Sequence, residues 1–219
     1  MKECELVQNI NAYLAKYGIR YANEVRMGIG VPDITLNIGA IKNQELIFDY
    51  YLLSIIDFIN GKKSVTLSDI CNYFSFQQER VQKYVNILLE RKIAIAKNSK
   101  IRISRNIFNT NLGTTISIEA KLKDWKGGLL QAQRYLIFSD YSYLAIPEDK
   151  IQNVDTALFY EYGIGLLSIS KYEICEIIQP RLSSECEFHL KYIATSSVLS
   201  ANLEKSRKRR KDTIFASLL

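Results

Sequence analysis

The sequence predicts an α/β protein whose strands are interrupted by a helical insertion, and three observations carry that expectation. Residues 1–42 read as a helix and two strands, residues 43–105 as three helices and a hairpin, and residues 114–178 as strands alternating with helices. The first and last segments together predict a mixed central sheet flanked by helices, because strand-length apolar runs that alternate with helical periods pack as layers. At 219 residues, with 47% hydrophobic and 24% charged content, the chain suffices for one sizeable domain or two small ones.

The elements follow in order. Leu6, Ile10, Tyr13, Leu14 and Tyr17 recur at helical spacing over 3–17, and Gly18 stops that helix. "IRYANEVRM" has strand character, "GIG" turns the chain, and "VPDITLNIG" alternates as a second strand. A long apolar-periodic helix is expected from residue 43 to Asn60-Gly61, then a short helix capped by Thr66 or Ser68. A third helix in "FQQERVQKYVNILLERKI" turns Val81, Tyr84, Val85, Leu88 and Leu89 inward, and "AIAKNSKIRIS" forms two short strands around Asn98-Ser99. Beyond it come a strand at 114–122, a helix at about 124–139 and a strand ending at Pro147. "KIQNVDTALFYEYG" suggests a helix, "IGLLSIS" and "YEICEII" two strands, and 183–211 a polar or basic helix.

Composition narrows the chemistry. Lys and Arg outnumber Asp and Glu 29 to 23, a formal charge of +6, and much of the excess lies in "KSRKRRK" within the tail 201–219. That balance is compatible with a polyanionic partner and adds salt-dependent affinity if the tail contacts phosphates. Cys4, Cys71, Cys175 and Cys186 form no CxxC pair and read as free thiols of a reducing compartment. "MKECELVQNI" lacks the apolar run of a signal peptide, and no window approaches a membrane span, so a cytoplasmic protein without a membrane partner is expected. His189 is the sole histidine and reads as structural in "CEFHLKYI", which leaves a Ser-His-Asp triad or a zinc site built on several histidines almost nothing to work with and points to carboxylates, lysine and a hard metal.

One strand carries the candidate chemistry. In "TTISIEAKL" the side chains of Glu119 and Lys121 are two apart and share a face. A same-face salt bridge would explain the pair. So would a hydrolytic site, in which Glu119 and Asp33 hold Mg²⁺, or Mn²⁺, beside a phosphodiester and Lys121 orients the attacking water. Asp33 precedes the apolar "ITL", so it starts a buried strand, where a lone carboxylate is costly without a cation or donors.

"VPDITL" and "ISIEAKL" resemble the two halves of the PD-(D/E)xK nuclease signature, and "QAQRY" contains the QxxxY form of its RecB-like branch. The resemblance covers residues 1–41 and 106 to about 180. It implies a restriction-endonuclease-like core over 1–42 and 106–200, with Asp33 and Glu119 as metal ligands and Lys121 as the water-positioning group. It further implies Glu24 as an additional acid for metal or water, with Glu5 competing for that role, and Gln131 lining the site. Tyr135 reads as packing. Residues 43–105 resemble a winged helix-turn-helix, an insertion that accounts for the long interval between Asp33 and Glu119. Gln78, Arg80 and Lys83 on its third helix, Lys97, Lys100 and Arg102 on its hairpin, and Lys126 after the strand are the expected DNA contacts. Protein contact or dimerisation is the alternative use of such a module.

The function expected is a Mg²⁺-dependent DNA endonuclease. The alternatives are a catalytically silent DNA-binding regulator, or a nuclease subunit of a larger complex. Cutting both strands of a duplex would favour a homodimer.

Overall fold

Ile34–Ile38 is buried at every position, as befits a strand covered on both faces. The computed structural model describes residues 2–40, 45–108, 111–202 and 215; the basic run 205–211 lies outside the described residues. The chain divides into two compact units, Met1–Leu46 with Asn111–Leu219, and Ile47–Thr110.

The first unit is an α/β structure built on a mixed six-stranded sheet in the order β1-β2-β5-β6-β7-β8. Its strands are β1 (Arg20–Asn23), β2 (Ile34–Ile38), β5 (Thr114–Ala120), β6 (Tyr141–Pro147), β7 (Gly165–Ile169) and β8 (Ile174–Ile178). β1, β2 and β5 pair antiparallel, β5–β6–β7 run parallel, and β8 returns antiparallel. The parallel steps need crossovers, supplied by α5 (Trp125–Arg134) between β5 and β6 and α6 (Thr156–Tyr162) between β6 and β7.

Strand alternation divides the core. Ile34, Leu36, Ile116, Ile118 and Tyr143 pack with Leu6, Ile10 and Leu14 of α1 (Glu3–Lys16) and with Phe215. Leu144, Ile146 and Leu166 pack with Leu129, Ala132 and Phe159 of α5 and α6. α7 (Phe188–Ser200) packs against β1, β2 and β5. It is shorter than the expected 183–211 helix and is not polar in its setting, because Tyr192, Ala194, Val198 and Leu199 are buried together with Thr195 and Ser196. The hydroxyls find partners inside: Thr195 and Thr115 are 3.0 Å apart. "KIQNVDTALFYEYG" also divides, into a 3₁₀ turn at Glu148–Asn153 and α6, whose start is capped by Asp155.

The second unit holds α2 (Tyr50–Lys62), α3 (Leu67–Phe74), α4 (Gln78–Glu90), β3 (Ala94–Lys97) and β4 (Lys100–Ile103). α2 starts later than residue 43, where Asp49 accepts the Leu52 N–H as N-cap. Thr66 and Asp69 form a capping box on α3. Val81, Val85 and Leu88 are the buried face of α4, whereas Tyr84 and Leu89 are half-buried. Asn98 and Ser99, at φ 52° and 61°, make the two-residue turn that matches strand twist between β3 and β4, and Val65 bridges to Ile101 as a short third strand.

Among the described residues no helix is long and apolar enough to cross a membrane. The four cysteines are free, and burial pushes the Cys186 thiol up to about 12, so it remains a protonated thiol.

Candidate active site

Sheet register creates the site. Ile34 pairs with Ile118 in the antiparallel β2–β5 ladder, so one step further Asp33 faces Glu119 at the carboxyl end of β5. Asp33 Oδ2 accepts the Ala120 backbone N–H at 2.7 Å, which fixes the carboxylate across the strand end. Lys121 lies just past β5, where its N–H continues the parallel ladder to Ala145 O. Its Nζ is 2.6 Å from Glu119 Oε1.

Glu119 is 2% exposed, and a carboxylate so buried requires partners for both oxygens. The second partner is Tyr135, whose hydroxyl donates to Oε2 at 2.7 Å, with Val31 O also nearby at 3.3 Å. Tyr135 sits where α5 tightens into a 3₁₀ turn, Tyr135–Ile137. Two glycines allow these approaches. A Cβ at Gly30 would lie 2.7 Å from the Tyr135 ring, and one at Gly128 would lie 2.6 Å from both Lys121 Cγ and Leu144 Cδ1.

The electrostatics follow from crowding like charges in a half-dry place. Burial, reinforced by the charges of Glu119 and Glu3, raises the Asp33 pKa to about 6, against the opposing effects of the Ala120 N–H and Lys121. For Lys121, burial alone would favour the neutral amine. The hydrogen bond and charge of Glu119, helped by Glu3 and Asp33, outweigh it, so the ammonium is held more firmly than usual. Burial and the Glu119 carboxylate likewise raise the Tyr135 phenol, which stays a donor.

Asp33, Glu119 and Lys121 therefore converge as the sequence led one to expect. Glu24 contributes through its backbone: it caps β1 at φ 50°, its N–H donates to Asp33 O, and its side chain is exposed. Glu5 is engaged in the capping box that opens α1, where it accepts the Lys2 N–H. The further acid whose charge acts on both Asp33 and Lys121 is Glu3, two residues earlier. Gln131 is half-buried on α5, one helical turn before Tyr135, and Lys126 is exposed with its ammonium 5.6 Å from the Trp125 ring. No family model matches the chain, and searches of curated proteins and of solved structures give no match either.

In the other unit, Gln78, Lys83, Lys97, Lys100 and Arg102 are exposed. Arg80 is exposed as well, and its guanidinium lies 4.0 Å from the Phe76 ring centre and 4.8 Å from that of Tyr51, a cation–π arrangement.

Among the described residues no cluster of three or more His, Cys, Asp or Glu side chains is arranged to hold a metal. Two carboxylates with open positions for water and phosphate oxygens are nevertheless the donor set that Mg²⁺ commonly takes from a protein. The raised pKa of Asp33 comes first from burial and then from the Glu119 charge, and a bound cation would offset both.

Sequence reasoning missed three contributors. Tyr135 reads as packing in the sequence, and only the packing of α5 over the sheet brings its hydroxyl to Glu119. Glu3 is one of two acids in the first turn of α1, and spacing alone does not choose between them. Gly128, in the Gly-Gly pair of a helix, was the legible signal, since glycine within a helix costs stability unless something approaches closely.

Proposed function

We propose that this chain is a metal-dependent DNA endonuclease of the PD-(D/E)xK type. The observation that carries the reading is the convergence of Asp33, Glu119 and Lys121 at the ends of two adjacent strands, with the Lys121 ammonium 2.6 Å from the Glu119 carboxylate. The succession α1, β1, β2, β5, α5, β6 supports a restriction-endonuclease-like core, since that family has a helix, three strands, a helix and a strand in this order. Three helices followed by a hairpin support reading Ile47–Thr110 as an inserted winged helix that delivers the nuclease to duplex DNA.

Asp33 and Glu119 would hold Mg²⁺ or Mn²⁺, which when bound supplies charge neutralisation at the phosphate and an acidified water. The chain's own residues do the rest. Lys121, held as an ammonium, donates a hydrogen bond that orients the attacking water and offsets the charge developing on phosphorus. Tyr135 and Lys121 between them fix the rotamer of Glu119, while the Ala120 N–H fixes Asp33. The water oxygen adds to phosphorus and gives up a proton to solvent, the P–O3′ bond breaks and the 3′ oxygen takes up a proton from solvent, leaving a 5′-phosphate and a 3′-hydroxyl. Cutting both strands of a duplex would call for a homodimer or a partner subunit.

The test is cleavage of plasmid and linear DNA in Mg²⁺ or Mn²⁺ by the wild type, Asp33→Ala and Lys121→Ala at matched purity. Cleavage lost in both folded variants is expected. If the wild type is inert and all three bind DNA equally, the reading gives way to a DNA-binding regulator.

A further inference from the structure

Away from the carboxylates, a cleft of about 490 Å³ lies between the second half of α1 and the turn joining β7 to β8. Its walls carry Tyr13, Tyr17 and Tyr172, with Lys16, Lys171 and Glu173 beside them. Tyr13 and Tyr17 are one helical turn apart, with ring centres at 4.7 Å. Tyr172 faces them from the turn and is 89% exposed. Each outer tyrosine has a lysine against it: Lys16 Nζ is 5.3 Å from the Tyr17 ring and Lys171 Nζ 5.5 Å from the Tyr172 ring.

The turn is built to hold this arrangement. Ser170 Oγ accepts the N–H groups of Tyr172 and Glu173, and Asn9 Nδ2 on α1 donates to Ser170 O. A tyrosine ring this exposed on an ordered turn gives up burial that a folding role would have used. The cleft is not an apolar groove of the kind a protein helix fills. It offers flat π-faces edged by ammonium groups, the combination on which bases stack while phosphates find cations. Lys16 also lies in the last turn of α1, where it offsets the carbonyl end of the helix that would otherwise repel an anion.

Position relates the cleft to the carboxylates. Parallel pairing of β5, β6 and β7 puts the β7–β8 turn at the same sheet end as Glu119, but on the α1 face, whereas Glu119 and its register partner Leu144 lie on the face covered by α5.

We propose that this cleft binds an unpaired nucleic-acid strand, with bases stacked on Tyr172 and on the Tyr13–Tyr17 pair and phosphates at Lys16 and Lys171. As a substrate subsite it rests on the nuclease reading; as a binding site it does not.

The experiment is fluorescence anisotropy of the full chain in EDTA with labelled oligo-dT and oligo-U of about 12 nucleotides, and with a duplex of the same length. Tyr172→Ala and Lys171→Glu alter exposed side chains and should fold as the wild type does. Each is expected to weaken unpaired-strand binding, Tyr172→Ala by about 5- to 100-fold, the range of one lost base–aromatic stack. Duplex binding should change by less than about twofold. Tyr172→Phe should retain binding, as stacking on the ring requires. Equal losses on oligo-dT and oligo-U assign contacts to groups the two share, and a loss confined to one assigns them to the 2′ position or the thymine methyl, which oligo-dU then separates. The proposal is overturned if Tyr172→Ala binds both oligonucleotides as the wild type does, or loses duplex affinity equally. Asp33→Ala separates the two readings: it should bind oligo-dT normally in EDTA while failing to cut in Mg²⁺. Cleavage by the wild type with unaltered Tyr172→Ala binding would sink the cleft alone. Weakened Tyr172→Ala binding in a chain that never cuts would sink the nuclease alone.

Discussion

Replacing Asp33 by asparagine should make the metal-free protein more stable at neutral pH. Asparagine keeps an oxygen to accept the Ala120 N–H now bonded at 2.7 Å, and it removes the charge that burial and Glu119 disfavour. Displacement of a carboxyl pKa from 3.8 to about 6 corresponds to about 3 kcal/mol, at 1.36 kcal/mol per unit. Asp33 is only part-buried, and solvent screening reduces the expected gain to about 1–2 kcal/mol. The sign fixes the pH window. Below about 3.8 the group is protonated in both folded and unfolded chains and costs nothing. As pH rises through the folded value of about 6 the wild type loses this contribution, whereas Asp33→Asn does not. Urea denaturation in EDTA should therefore show the two proteins converging near pH 4 and separated by about 1–2 kcal/mol at pH 7.5. Added Mn²⁺ should then raise the stability of the wild type and leave Asp33→Asn unmoved. A variant equal to or weaker than the wild type at pH 7.5, or a gap independent of pH, would refute the account of an Asp33 carboxylate disfavoured by burial and, secondarily, by the Glu119 charge.

Two further expectations concern the residues that hold the site in shape. Tyr135→Phe removes the 2.7 Å hydrogen bond to buried Glu119 and should cost about 1.5–3 kcal/mol in urea denaturation, with most of that loss absent in a Glu119→Gln background; equal losses in both backgrounds would count against the coupling. Gly128→Ala places a methyl 2.6 Å from Lys121 Cγ, so cleavage should fall at least about tenfold while DNA affinity in EDTA holds, and unchanged cleavage would mean that the lysine stem yields freely.

Much of this arrangement was written in local sequence. Period-two and period-3.6 patterns located β2, β5 and α1, and Thr66 and Asn98-Ser99 marked a cap and a turn that the structure uses. Local signals failed where tertiary burial decides. The interval 183–211 reads as a polar or basic helix because of its serines, acids and the run at 205–211, yet α7 within it is buried, its hydroxyls finding partners inside, as Thr115 does for Thr195. In the site, Asp33, Glu119 and Lys121 were legible because strand spacing and register are short-range rules. Tyr135 and Glu3 were not, since their proximity to those groups depends on how helices pack over the sheet.

Ile38 and Thr114 are register partners, so everything between them is, for the sheet, the loop of a single antiparallel hairpin. An unstructured loop of that length would add about 2–3 kcal/mol of closure entropy over a tight one. A loop that has folded first no longer carries most of that freedom. On the ribosome the Ile47–Thr110 unit emerges before β5, and its rapid, local helical contacts can form while β2 still lacks its neighbour. The carboxylates of Asp33 and Glu119 then meet only in a late event of folding, after the intervening unit has been made. A nascent chain cannot bring these two carboxylates together until its third sheet strand, β5, has been made.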